Sequence, residues 1–295
     1  MGIVLLCPGQ GQVPRDLGDL VLASGDDLAA AYADKLGADA HLDPLKDFAR
    51  AQAALVAVGI GRGRRALELL QTPSVRGEYG EVLAIAGHSL GEITALALGG
   101  ALDATDAVRL AADRGRAFED FHSPDWDAAG MLAISGPTVQ DEIAALLAEY
   151  GGELANDNAP DQVVVSATHE QIAALTTEAR ERSLRAVRLE TTGPGHSSYM
   201  ASIVAPVRAA VEGAPFHAAT IPVYSGLTAA PFIDLPGEVS GILANQVRWR
   251  ETLLELATLE PTHFLDVGPG GAMARLARKT VPDVPTVTLD DLESA

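Results

Sequence analysis

Apolar and polar positions follow two different rhythms along the chain, and the change of rhythm marks its organisation. The run "IVLLC" (Ile3–Cys7) is short, continuous and rich in branched aliphatics, which fits a strand buried on both faces. It runs into "PGQGQ", a glycine-rich loop signature. Asp47 to Leu70 carries apolar residues at helical spacing, with Gly59, Gly61 and Gly63 expected to interrupt it. A second strand and a tight turn are expected over Val82 to Gly91. After them Ile93, Leu96, Ala97 and Gly100 recur at helical spacing, and a further helix is predicted over about Ala104 to Phe121. Strand, helices, strand, helices is the order that builds a parallel α/β sheet covered on both faces.

After "SPDWDAAG" the elements shorten. "MLAISG" reads as a strand, "TVQDEIAALLAEYG" as a helix, "GELAND" and "QVVVSA" as strands, "THEQIAALTTEARERS" as a helix and "RAVRLET" as a last strand. That βαββαβ order, from about Met131 to Thr191, predicts a ferredoxin-like unit. A helix through Ala201 to Glu212 follows, then "IPVYSG", then "THFLDVGPGG" as a final strand leading into a short helix. The expected architecture is therefore a larger, hydrolase-like parallel-sheet α/β domain (1–128 and 193–295) with an inserted ferredoxin-like α+β subdomain (129–192). The closing "LDDLESA" reads as an acidic tail of no evident chemistry.

Composition narrows the class of function. Aromatic residues make up only 4%, so Ala, Leu and Val must fill the core of the 295-residue chain. A net charge of −19 argues strongly against nucleic acid and anionic membrane as principal partners, and neither is expected. A single cysteine, Cys7, allows no intrachain disulfide and no multi-cysteine metal site, and no metal is expected. The first apolar run is five residues, too short for a signal peptide or a membrane span, so a cytoplasmic location is expected.

The chemistry concentrates at "IAGHSLGEITALALGG". Ser89 stands between Gly87 and Gly91 where a strand passes into a helix, the sequence form of a nucleophile elbow. There the hydroxyl meets backbone N–H groups at a helix start, and the Leu90 N–H is placed to stabilise an acyl oxyanion. The bland reading is a tight turn with a buried, hydrogen-bonded serine. A serine nucleophile needs a base, and seven histidines are present. His88 adjoins the serine, but the turn is expected to aim it away. His196, in "TTGPGHSSYM", sits in a loop where the chain returns to the larger domain. His263, with Asp234 as acid, is the rival and implies a serine hydrolase of the α/β-hydrolase type.

"PGQGQ", "GHSLGE", "DRGRAF", "ANDNAPDQVVV", "GPGHSSYM", "VRWRETL" and "FLDVGPGG" occur here in the order seen in malonyl-CoA:acyl carrier protein transacylases. The chain resembles that family, which includes polyketide synthase acyltransferase domains and the malonyl-transferring subunit of malonate decarboxylase, from Ile3 to about Arg278. The resemblance implies that Ser89 takes the acyl group as an ester and that His196 is its general base. It implies backbone donors at Gln10 and Leu90 for the oxyanion, and Arg114 as the partner of the malonyl carboxylate, a task that a planar guanidinium suits. Read alone, Arg114 could equally pair with Asp113 or Glu119. Asn156 and Asn158 match paired asparagines near the family's pocket, though Asn, Asp and Pro also make turns. His88 would have a supporting role.

The chain departs from the pattern in two places. Ile242 stands where relatives carry a glutamine and Gln246 where they carry a proline; Ile242 can still offer a backbone carbonyl to His196. The first loop, "PGQGQ", is one residue shorter than usual. The resemblance further implies malonyl-CoA as substrate and an acyl carrier protein as partner; no tightly bound cofactor is expected, and a monomer is expected. Carrier proteins are themselves usually acidic, so a local basic rim is expected, at Arg180, Arg182, Arg185 and Arg188 or at Arg62, Arg64 and Arg65. A carrier-binding domain without catalysis is the reading from a different class.

Overall fold

The computed structural model describes residues 2–11, 13–190 and 193–294. Among the described residues ten strands fall into two sheets: β1 (Gly2–Cys7), β2 (Glu81–Gly87), β3 (Ala129–Ser135), β4 (Glu153–Ala159), β5 (Gln162–Thr168), β6 (Arg185–Arg188), β7 (Val223–Ser225), β8 (Ala230–Pro231), β9 (His263–Asp266) and β10 (Thr286–Thr288). The larger sheet has the order β10-β9-β1-β2-β7-β8 and is parallel except for β8. The smaller is antiparallel, in the order β4-β5-β3-β6. With the helices Val139–Tyr150 and His169–Glu181 it has the βαββαβ connectivity expected of a ferredoxin-like unit.

The central strand shows why "IVLLC" is unbroken. Ile3, Leu5 and Cys7 face one hydrophobic core, whereas Val4 and Leu6 face the other, with helices over both. The first core takes in the helices Phe48–Leu69, Gly91–Leu98 and Ala104–Asp120. Trp249, Leu253, Met273 and Ala277, from the helices Trp249–Ala257 and Ala272–Thr280, close the second.

The expected interruption at Gly59, Gly61 and Gly63 does not occur: Phe48–Leu69 is one helix of 22 residues. The glycines mark close approach instead. A Cβ on Gly63 would stand 2.2 Å from Leu98 Cδ1, and one on Gly61 2.8 Å from the Ser24 backbone. The spacing that reads as weakness in an isolated helix is what lets neighbouring elements pack against this one.

The acidic end is likewise structure and not tail. Thr288 and Asp291 form a capping box for the helix Leu289–Glu293, which buries Leu289 and Leu292. Asp290 pairs with Arg62 at 2.8 Å and Glu293 with Arg65 at 3.2 Å, while Arg64 pairs with Asp27. The Arg62–Arg64–Arg65 cluster is thus neutralised and forms no basic rim. β6 is shorter than predicted, ending at Arg188; Thr191, Thr192, Gln12 and Ala295, on which other sequence expectations fall, lie outside the described residues. Among the described residues no helix is long and apolar enough to cross a membrane.

Candidate active site

The two loops around the serine leave the C-terminal edge of the larger sheet, whereas the His196 loop follows β6 of the smaller one. β1 and β2 are neighbours, with Cys7 opposite Gly87 in register, so "PGQG" and "HSL" emerge side by side. Ser89 lies in the turn between β2 and the helix Gly91–Leu98, with φ of 55°, a conformation that costs a non-glycine residue about 1–3 kcal/mol and is typical of functional turns. Gly87 makes the turn possible: a Cβ there would stand 2.1 Å from the Gly91 carbonyl carbon. Neither the Leu90 nor the Gln10 backbone N–H donates to another described residue, so two donors flank the elbow unspent.

His196 Nε2 lies 2.8 Å from Ser89 Oγ, across 107 positions of sequence. Its Nδ1–H donates to the Ile242 carbonyl at 2.7 Å, which fixes the tautomer: Nε2 carries the lone pair and accepts the serine proton. The second sheet holds this loop. Ser166 Oγ on β5 donates to Gly195 O at 2.6 Å, and Glu153 on β4 accepts from the Ser198 N–H at 2.8 Å. Burial, aided by the charges of His88 and Arg114, pulls the His196 imidazole down to about 3, so it is a neutral base at physiological pH.

Arg114, on the helix Ala104–Asp120, is 5% exposed, and no described carboxylate stands within 4 Å of it. The surface alternative does not hold: Asp113 pairs with Lys35 and Arg116, and Glu119 accepts the Phe48 N–H. Arg114 Nη1 donates to Gln52 Oε1 at 2.5 Å, and its guanidinium carbon lies 5.2 Å from the Phe118 ring centre. Burial lowers the guanidinium to about 10, partly offset by Glu92. A buried cation with most of its donors unused is a receptor for an anion.

His88 does point away from the hydroxyl. Its Nε2 bonds Asn158 Oδ1 at 2.9 Å, and its ring packs edge-on against Trp249, 5.3 Å between centres. Asn156 and Asn158 sit on β4 and not in a turn; both are buried, and neither hydrogen-bonds to Ser89 or His196. A cavity of about 360 Å³ opens beside them, lined by Gly9, Gly11, His88, Asn158, Gln162 and Met273 among others. It leads along the seam between the two sheets to the first loop.

His263 is in the wrong place to serve Ser89. It begins β9 level with Ile3, which is level with Val82, at the far end of the sheet. Seven positions along a strand put it about 20 Å away. Asp234, its supposed acid, caps the helix Leu235–Gly241.

Two residues of the site have places in it that the sequence did not assign. Gln52, fully buried, is the hydrogen-bond partner of Arg114, and its Nε2 has none of its own. Glu92, 1% exposed, accepts the Gly226 N–H at 2.7 Å. Gln52 left one signal: a lone amide inside the Ala-Val stripe "ARAQAALVAV".

Comparison with known proteins gives one answer. The family model for the acyl transferase domain matches residues 16–291. A malonyl CoA-acyl carrier protein transacylase of Synechocystis sp. is 32% identical over 217 residues, 71% of each chain. A polyketide biosynthesis malonyl CoA-acyl carrier protein transacylase of Bacillus velezensis is 26% identical, over 94% of this chain and 96% of its own. The crystal structure of an acyl-carrier-protein S-malonyltransferase from Burkholderia pseudomallei superposes with a TM-score of 0.85 at 27% identity, covering 100% of this chain and 99% of that one.

Proposed function

Because the chain belongs to the acyl transferase domain family, we propose that it moves a malonyl group from malonyl-CoA, through an ester on Ser89, to the phosphopantetheine thiol of an acyl carrier protein. The observation that carries this reading is the Ser89–His196 pair at 2.8 Å in the same buried site as a guanidinium with no carboxylate partner among the described residues.

His196 Nε2 takes the proton of Ser89 as the hydroxyl oxygen attacks the thioester carbonyl. The Leu90 and Gln10 N–H groups receive the oxyanion, and Arg114, held by Gln52, receives the distal carboxylate. The thiolate of CoA leaves with the proton that His196 now carries. In the second half the carrier's thiol gives its proton to His196, attacks the ester carbonyl and expels Ser89 oxygen, which recovers a proton from the imidazolium. The Ile242 carbonyl keeps the ring in register through both halves, a main-chain role that an isoleucine can fill.

Every group in this scheme comes from one chain, so a monomer suffices, and CoA thioesters as substrates support a cytoplasmic location. Segments 1–128 and 193–295 supply the reacting groups, and 129–192 braces the histidine loop. Whether the carrier serves fatty acid synthesis, polyketide assembly or malonate decarboxylation is a matter of which protein docks. The hydrolase reading has no geometric support, since His263 stands at the opposite edge of the sheet.

The test is a two-stage assay. Malonyl-CoA should release one equivalent of CoA in a burst, and added holo carrier protein should then be loaded as the enzyme turns over. Steady release of free malonate without a burst would favour hydrolysis instead. In competition, malonyl-CoA should exclude acetyl-CoA, because the latter has nothing to offer Arg114.

A further inference from the structure

The site contains a carboxyl that the mechanism leaves idle. Glu92 lies in the first turn of the helix that starts at the elbow, three residues after Ser89, and is 1% exposed. One oxygen, Oε1, accepts the Gly226 N–H at 2.7 Å; the other, Oε2, is buried and has no partner among the described residues. Arg114 is its electrostatic neighbour and spends only Nη1, on Gln52. No ion pair within 4 Å joins the two. An idle acceptor and an idle fork of donors thus lie near each other, and no ion pair joins them.

We propose that Glu92 tunes the preference of the site for acyl groups ending in a carboxylate, its own carboxyl acting as a rival for the Arg114 guanidinium. The proposal rests on the reading of Arg114 as the holder of the substrate carboxylate. The groups that face Glu92 are Arg114 from the helix Ala104–Asp120, Glu238 from the helix Leu235–Gly241, and Ser225 and Gly226 from the turn after β7. Burial pushes the Glu92 carboxyl up to about 8; the Gly226 N–H, Arg114 and, least, the Ser225 hydroxyl pull it down, and Glu238 adds to the rise.

The sign follows. Below its titration Glu92 is neutral, and the guanidinium is open to an incoming carboxylate. Above it the ionised carboxylate takes the guanidinium, the fraction of protein able to receive a dicarboxylic acyl group falls, and its apparent affinity falls in proportion. One unit above the midpoint the loss is roughly tenfold. An acetyl group, which has no carboxylate, does not experience the rivalry. Glu92 is a specificity residue in this account and touches neither the thioester nor the proton in flight.

The experiment measures Ser89 acylation by malonyl-CoA and by acetyl-CoA from about pH 6.5 to about pH 9, in the wild-type protein and in Glu92→Gln. The substitution keeps the carbonyl that accepts the Gly226 N–H. The ratio of malonyl to acetyl rates should fall roughly tenfold across this range in wild type and stay level in the variant. A level ratio in wild type, or the same fall in Glu92→Gln, overturns the proposal. A second measurement needs no variant: calorimetry of malonate binding to wild type in buffers of different ionisation heat, above pH 8. Net proton uptake is expected, and its absence overturns the proposal. Failure of malonyl-CoA to acylate Ser89 at every pH overturns the acyltransferase reading, whereas acylation with a level ratio overturns the Glu92 proposal alone.

Discussion

At the scale of single residues, His196, Arg114 and Gln52 each make a distinct prediction. Burial holds the His196 ring far below the ordinary imidazole value of ~6.5, so the neutral, basic form persists until the pH drops through that lowered value. The rate of Ser89 acylation should therefore show no loss between pH 7 and 6 attributable to the base; a single inflection near 6.5 would contradict the burial argument. His196→Ala should lower acylation by about 10²–10⁴-fold, the usual contribution of a positioned base, with binding of malonyl-CoA little altered. Arg114→Ala removes the buried cation assigned to the malonyl carboxylate and should cost malonyl transfer about 2–5 kcal/mol while sparing acetyl transfer. Gln52→Ala should act through Arg114: the KM for malonyl-CoA rises by about tenfold, one hydrogen bond to a charged group, and kcat changes less. Equal losses for malonyl and acetyl groups in either variant would remove Arg114 from the carboxylate.

At the scale of elements, the contrast between two glycines tests how the helix Phe48–Leu69 packs. Gly63→Ala sets a methyl 2.2 Å from buried Leu98 and should destabilise the protein by about 1–3 kcal/mol in thermal or denaturant unfolding. Gly77→Ala, in the helix Pro73–Tyr79 with nothing within 4 Å, should stabilise by about 0.5–1 kcal/mol. The helix Phe48–Leu69 also shows how the sequence could mislead. Its glycines look like breaks because periodicity reports a helix's own preferences and not the neighbours that need its surface. The elbow was legible because strand, Gly87, Ser89 and helix start are contiguous, and the βαββαβ order was legible from short, well-punctuated elements. Gln52, Glu92 and the Ser166 bond to the histidine loop were not, since a polar residue in an apolar stripe declares its burial but not its partner. The closing helix was missed because its capping box lies in an acidic stretch whose partners, Arg62 and Arg65, come from far up the chain.

At the scale of the whole molecule, the site exists only where the two sheets meet. Ser89 and Arg114 come from the larger sheet and its helices, and His196 is braced by β4 and β5. The Asp157–Arg250 pair at 2.8 Å ties β4 to the helix Trp249–Ala257, and the Asp157 N–H donates to Val247 O. Asp157→Ala should loosen that seam and slow acylation without touching a reacting group. A chain of net charge −19 must still receive an acidic carrier, and its arginines are mostly spent. Arg182 is held by Glu142, Glu149 and Glu178, whereas Arg180 and Arg185 pair with no described acid. Arg180→Glu with Arg185→Glu should therefore slow transfer to the carrier protein and leave acylation by malonyl-CoA unchanged; equal effects on both halves would place docking elsewhere. The central claim is that the Ser89 oxygen carries the acyl group between two thiols. Its most direct test is peptide mass spectrometry after brief mixing with malonyl-CoA. A malonyl ester should appear on the peptide containing Ser89, vanish on addition of holo carrier protein, and be absent from Ser89→Ala; an unmodified Ser89, or a malonyl adduct that persists in Ser89→Ala, would contradict it.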